Sequence, residues 1–149
     1  ALPRRQAGTL TVLLATVFAL VVRSIGGVAA GVLIAAAGYW TAGAVALLIM
    51  HGTPLGSPGG PPSTADVSAH LAFATAASFL GGLVAVRIAG HRPHLHALIL
   101  GGLLATSVFL GFSKPASNWP AWFPYGMAVA CGCGAFFASR FSIRHTSSV

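Results

Sequence analysis

A chain of 149 residues that is 56% hydrophobic and only 6% charged falls far below the charge content of a water-soluble domain, about a quarter of residues. Eight Lys or Arg against one acid, Asp66, give a net charge of +7, but the basic residues stand singly at the ends of apolar runs. That placement forms no basic stripe, excludes nucleic acid as a partner, and reads as membrane orientation in an all-α polytopic bundle.

Ala1 to Gly8 carries Arg4 and Arg5, and Thr9 to Val22 is an unbroken apolar run of fourteen residues ending at Arg23. A basic tail before a short apolar run has the outline of a signal peptide, but no A-x-A cleavage site follows, so the segment is expected to be retained. Counted over 6–22, this first helix is about 25 Å long, at the lower edge of what spans a hydrocarbon core of about 30 Å. Thr11, Ala15 and Ala19 put small side chains at four-residue intervals, the arrangement through which helices approach closely in lipid. Arg23 and Ser24 interrupt the apolarity, Ser24 suits an N-cap, and a second helix is expected over 25–50, long enough for a tilted span. Gly27, Gly31 and Ala35 form one small stripe on it, and Gly38, Ala42 and Ala46 another. Tyr39 and Trp40 fall near its middle, so they are expected to pack on a neighbouring helix or a bound ring instead of among headgroups.

An outer loop over 51–66 is rich in glycine and proline, irregular backbone that needs water or protein around it. Ser63-x-x-Asp66 has the form of a capping box and opens a third helix over 67–90. On that helix His70, Ala74, Ser78 and Gly82 make one stripe, Ala77, Gly81 and Ala85 another, and Asp66 lies one turn before His70. The turn holding Arg87, His91, Arg92, His94 and His96 leads to a fourth helix over 97–112 with Ala97, Gly101 and Ala105 on its small face. A second loop contains Trp119, Trp122 and Phe123, which suit a membrane interface. The fifth helix, over 125–139, repeats Gly126, Ala130, Gly134 and Ala138 every four residues, and 140–149 form a tail with Arg140 and Arg144. All of this is expected to be one membrane domain.

If the second to fifth helices each cross once, one side receives Arg23, Arg87, Arg92, Arg140 and Arg144 and the other only Lys114. Cytoplasmic ends carry the excess of Lys and Arg, so the C-terminus is expected in the cytoplasm and the two loops outside, in the cell inner membrane. A spanning first helix would place Arg4 and Arg5 outside, against that rule and at about 2.3 kcal/mol per charge per 100 mV. Whether that helix is a fifth span therefore stays open.

Few residues could carry chemistry. A single carboxylate side chain excludes catalysis by paired carboxylates. Gly26-Gly27 and Gly101-Gly102 lie within apolar runs without the Lys-Ser/Thr sequel of a phosphate loop. The helices apart from the third contain no acid, which argues against a proton- or cation-coupled transporter. His70 could ligate a haem or chlorin metal, or, with His51 on the same side and Asp66 behind it, hold a metal ion. His91, His94 and His96 read as a solvated turn facing headgroups, and Cys131 and Cys133, two residues apart on a helix, cannot bridge and read as packing residues.

From Arg23 onward the chain resembles a family of small uncharacterised bacterial four-helix integral membrane proteins. The resemblance rests on Arg23-Ser24-Ile25-Gly26, Gly81-Gly82, Val86-Arg87-Ile88-Ala89, Arg92-Pro93, His96-Ala97-Leu98-Ile99-Leu100-Gly101 and Pro120-Ala121-Trp122-Phe123-Pro124. It implies four core transmembrane helices with their arginine ends inside, plus an added N-terminal apolar helix, and it lends no activity. The expected function is a non-catalytic accessory subunit of a larger membrane complex, of the respiratory or photosynthetic kind. It would pack through small-residue faces on other membrane subunits and lipids. The alternatives are a membrane protein with a His-ligated pigment, metal or other cofactor of unknown identity, or a small transporter.

Overall fold

A computed structural model describes residues 4–51, 62–112 and 119–146. At 4–11, 46–47, 49–51 and 143–146 it describes the backbone alone, and most of the glycine- and proline-rich loop, the start of the tryptophan-containing loop and the last three residues lie outside the described residues. The described chain forms four helices, α1 (Arg4–His51), α2 (Thr64–Ala89), α3 (Pro93–Phe112) and α4 (Phe123–Thr146). Among the described residues three stretches are long and apolar enough to cross a membrane, Val12–Val45, Thr64–Ala89 and Pro93–Phe112. The protein is a helical membrane protein.

The largest departure from the sequence reading is at Arg23 and Ser24, where two helices were expected and one runs through, 48 residues and about 72 Å long. No proline or helix-ending glycine motif stops it. Ser24 Oγ donates back to Leu20 O at 2.8 Å, and Arg23 Nε donates to Ile88 O at 3.2 Å, so each polar side chain finds a backbone acceptor without ending the helix.

The other boundaries shift for local reasons. Ser63 Oγ accepts from Asp66 N and Asp66 Oδ2 accepts from Ser63 N at 2.9 Å, so the capping box forms and α2 starts at Thr64 instead of Val67. It ends at Gly90, whose φ of 68° closes a left-handed cap that a side chain would strain. α3 begins at Pro93, not Ala97, because proline is already set for the first helical position and Arg92 O accepts from Leu95 N. α4 starts at Phe123 and extends to Thr146, taking up part of the expected tail.

The helices run alternately up and down. α1 packs chiefly on α2, α2 on α4 and α4 on α3, with lesser contact of α3 with α2 and α1. What brings them together is the small residues. A Cβ at Gly31 would lie 2.7 Å from Gly81 O, one at Gly81 would collide with Gly31 O, and one at Gly82 would lie 2.7 Å from Ala138 Cβ. One at Gly134 would run into Thr75 O. Backbone thus touches backbone at α1–α2 and α2–α4, the close approach that drives association where lipid is as apolar as the side chains.

On α2, Ala77, Gly81 and Ala85 face α1, whereas Ser78 and Gly82 face α4. Gly27, Gly31 and Ala35 meet α2, and Gly134 and Ala138 are buried against it, while Gly126 and Ala130 are half-buried. Ala15 and Ala19 are exposed; of Thr11 only the backbone is described. Arg23, Arg87, Arg92 and Arg140 gather at one end of the bundle, since Arg23 meets the C-terminus of α2 and Ser139 meets His94.

Candidate functional site

At the opposite end, the first two turns of α2 and the start of α4 hold an aromatic cluster around His70. Trp119 stacks on Phe123 with centroids 4.2 Å apart and planes 15° from parallel. The His70 ring meets Trp119 edge-on at 4.8 Å, Tyr39 at 6.0 Å and Phe123 at 6.2 Å. Phe123 is fully buried, so this loop does not simply lie at a membrane interface as expected; Trp122 alone of its three aromatics is exposed. The reason is that the start of α4 turns Phe123 into the core formed by Val67, Ala74, Met127 and Cys131. Tyr39 packs inward against the same core, while its neighbour Trp40 points out of the bundle at 74% exposure.

His70 Nδ1 lies 2.8 Å from Asp66 O. A carbonyl can only accept, so Nδ1 carries the hydrogen and the neutral ring keeps its lone pair on Nε2, the form that accepts a hydrogen bond or ligates a metal. The partnership with Asp66 is therefore real but runs through the backbone; the Asp66 carboxylate is engaged by Ser63. His51 closes α1, twelve residues and about 18 Å along the helix beyond Tyr39, and the α1 side chain that meets His70 is Tyr39. Among the described residues no three His, Cys, Asp or Glu side chains converge where they could hold a metal ion.

Below the aromatic cluster, a cleft of about 380 Å³ opens between α1 and α3, lined by Val32, Ala35, Tyr39, Ala74, Leu104 and Val108 among others. The Tyr39 hydroxyl is sealed from it and has no hydrogen-bond partner among the described residues, so only the ring of Tyr39 faces the cleft. Cys131 is buried and Cys133 exposed, on different faces of α4.

The histidines at the arginine end serve the turn. His91 Nδ1 donates to Ala89 O at 2.7 Å and His96 Nδ1 to Arg92 O at 3.0 Å. Ser139 Oγ already donates to Phe136 O, so it accepts from His94 Nδ1 at 3.0 Å and ties α3 to α4. His96 is buried, contrary to a wholly solvated turn, because α3 starts three residues before it and rolls it inward. The pairs Tyr39–His70 and His94–Ser139 were not visible in sequence, since each joins positions far apart in the chain; only the mid-helix placement of Tyr39 gave a signal.

No family model matches the chain, and no curated protein sequence or solved structure matches it either.

Proposed function

We propose that the protein is a non-catalytic docking subunit of a larger membrane complex, of the respiratory or photosynthetic kind, and that the N-terminal arm of α1 is what it inserts into its partner. The observation that supports this reading is the exposure of the arm. Eight large apolar side chains from Val12 to Val22 are 41–70% exposed. Burying each is worth about 1.5–3 kcal/mol, so leaving the arm in water costs upwards of about 10 kcal/mol.

Lipid cannot supply that cover while α1 stays straight. The apolar stretch Val12–Val45 is 34 residues, about 51 Å, and fitting it into a core of about 30 Å requires a tilt of about 54°, beyond the usual range of about 0–40°. Arg23, fixed at the arginine end, leaves the arm reaching about 28 Å past the bundle. The occupant that fits is a pair or more of apolar helices from another membrane protein, meeting the small face at Ala15 and Ala19. By the excess of arginine the arm lies on the cytoplasmic side of the inner membrane, as does the C-terminus, with α4 completing four core spans as in the small bacterial family that the chain resembles.

Purification of the tagged protein in mild detergent is expected to recover partner membrane subunits, and Ala15→Leu to release them while the bundle keeps its melting temperature. Migration of the wild type as a lone monomer, or release accompanied by unfolding of the bundle, would refute the reading.

A second reading has an observation of its own, the Nε2 lone pair that Asp66 O fixes on His70. In this reading His70 ligates the metal of a haem or chlorin ring beside Trp119. The expected result is a Soret or chlorin band in the purified protein that disappears in His70→Ala; a featureless wild-type spectrum retires it.

A further inference from the structure

The arginine end of the seam between α1 and α3 has a second groove. It has a volume of about 590 Å³ and is walled by Ile25, Val28, Val32, Leu33, Ile99 and Leu103, with polar residues only at one end, where Ser24 and His96 line it. We propose that this groove binds one anionic phospholipid, its phosphate at Arg23 beside the polar end and an acyl chain along the aliphatic wall.

Three observations converge on that occupant. Depth is the first: from Ser24 to Leu33 the groove follows α1 for about 13.5 Å, close to the roughly 15 Å of one leaflet's hydrocarbon. Its polar end sits level with the C-terminus of α2, where a headgroup lies when α2 spans the bilayer. Charge is the second. Arg23, Arg87 and Arg92 share this end, and the one acid of the chain, Asp66, is at the other end of α2. The third is that Arg23 is held in place. Its Nε donates to Ile88 O, which leaves the terminal N–H groups of the guanidinium for an anion. A Cβ at Gly90 would lie 3.2 Å from Arg23 Nη2, so the glycine that caps α2 also makes room for the guanidinium. Ser24 Oγ lies 3.4 Å from His91 Nε2 beside it. A neutral zwitterionic lipid would fill the same groove but would set a choline against the arginines.

The proposal does not depend on docking of the arm. It is tested by native mass spectrometry and melting of the detergent-purified protein with dioleoylphosphatidylglycerol, dioleoylphosphatidylcholine or inorganic phosphate at equal concentration. The wild type is expected to retain phosphatidylglycerol over phosphatidylcholine by roughly fivefold, the factor that one basic contact with an anionic headgroup confers. Arg23→Gln should erase the preference, Ala29→Trp, which fills the groove, should reduce retention of both lipids, and Arg140→Gln, on α4 away from the groove, should change nothing. Equal retention of the two lipids by the wild type, an effect of Arg140→Gln as large as that of Arg23→Gln, or stabilisation by phosphate alone would overturn the assignment.

Discussion

Gly81→Leu is expected to break the bundle, with a loss of about 3 kcal/mol or more. The added Cβ would collide with Gly31 O and lie 2.9 Å from Ala35 Cβ, and neither is the far end of a flexible side chain. To make room, α1 must separate from α2, and separation removes the close backbone contact along Gly27, Gly31 and Ala35 that holds the pair. Overpacking in tight cores typically costs about 1–3 kcal/mol, and a clash with backbone lies at or above the top of that range. The control is Gly102→Leu, where a Cβ meets nothing within 4 Å; the better helix former should leave stability equal or up to about 1 kcal/mol higher. Equilibrium unfolding in mixed detergent micelles measures both. A Gly81→Leu protein as stable as the wild type would show that α1 and α2 do not touch through their backbones.

Phe123→Ala is expected to cost about 3–5 kcal/mol. Its ring is fully buried and lies against Trp119, Phe112 at 5.1 Å and His70, so deletion leaves a void that none of these rings can close without losing its other contacts. Lipid does not soften the penalty, because what is lost is dispersion contact with partner atoms and not protection from water. Tryptophan emission gives a second reading of the same event: Trp119, no longer stacked, should shift to the red. A change below about 1 kcal/mol without a spectral shift would contradict the packing.

The small-residue stripes were legible in sequence because a period near four survives in any helix, whatever it later touches. Gly27, Gly31 and Ala35 could be grouped without knowing that Gly81 lies opposite, and the capping box at Ser63 and Asp66 is wholly local. The continuity of α1 was not legible. Arg23 and Ser24 looked like a boundary because polar residues in an apolar run suggest an aqueous exit, yet Ser24 finds Leu20 O within α1 and Arg23 finds Ile88 O on α2, so α1 continues past both. His70 could be singled out by type and position, but its tautomer depends on Asp66 O and its ring contacts on a loop that no periodicity describes. The groove at Ser24 escaped for a similar reason. It is made by the weak contact of α1 with α3, a relation between surfaces that neither helix encodes alone.

Of the four described helices α4 leaves the ribosome last, yet it is the element on which α3 mainly rests and which packs in parallel against α2. A nascent chain that has delivered α1, α2 and α3 contains both members of one helix pair, α1 and α2, whose glycine backbones meet in the finished fold. α3 at that stage is tethered by the short turn at Gly90 to Arg92 but lacks its principal neighbour. The face of α2 that carries Ser78 and Gly82, and the face of α3 that carries Gly101, wait together in the bilayer for a helix not yet translated. Closure of the bundle therefore rests on α4, which supplies the neighbour that these faces of α2 and α3 both lack until it is in place.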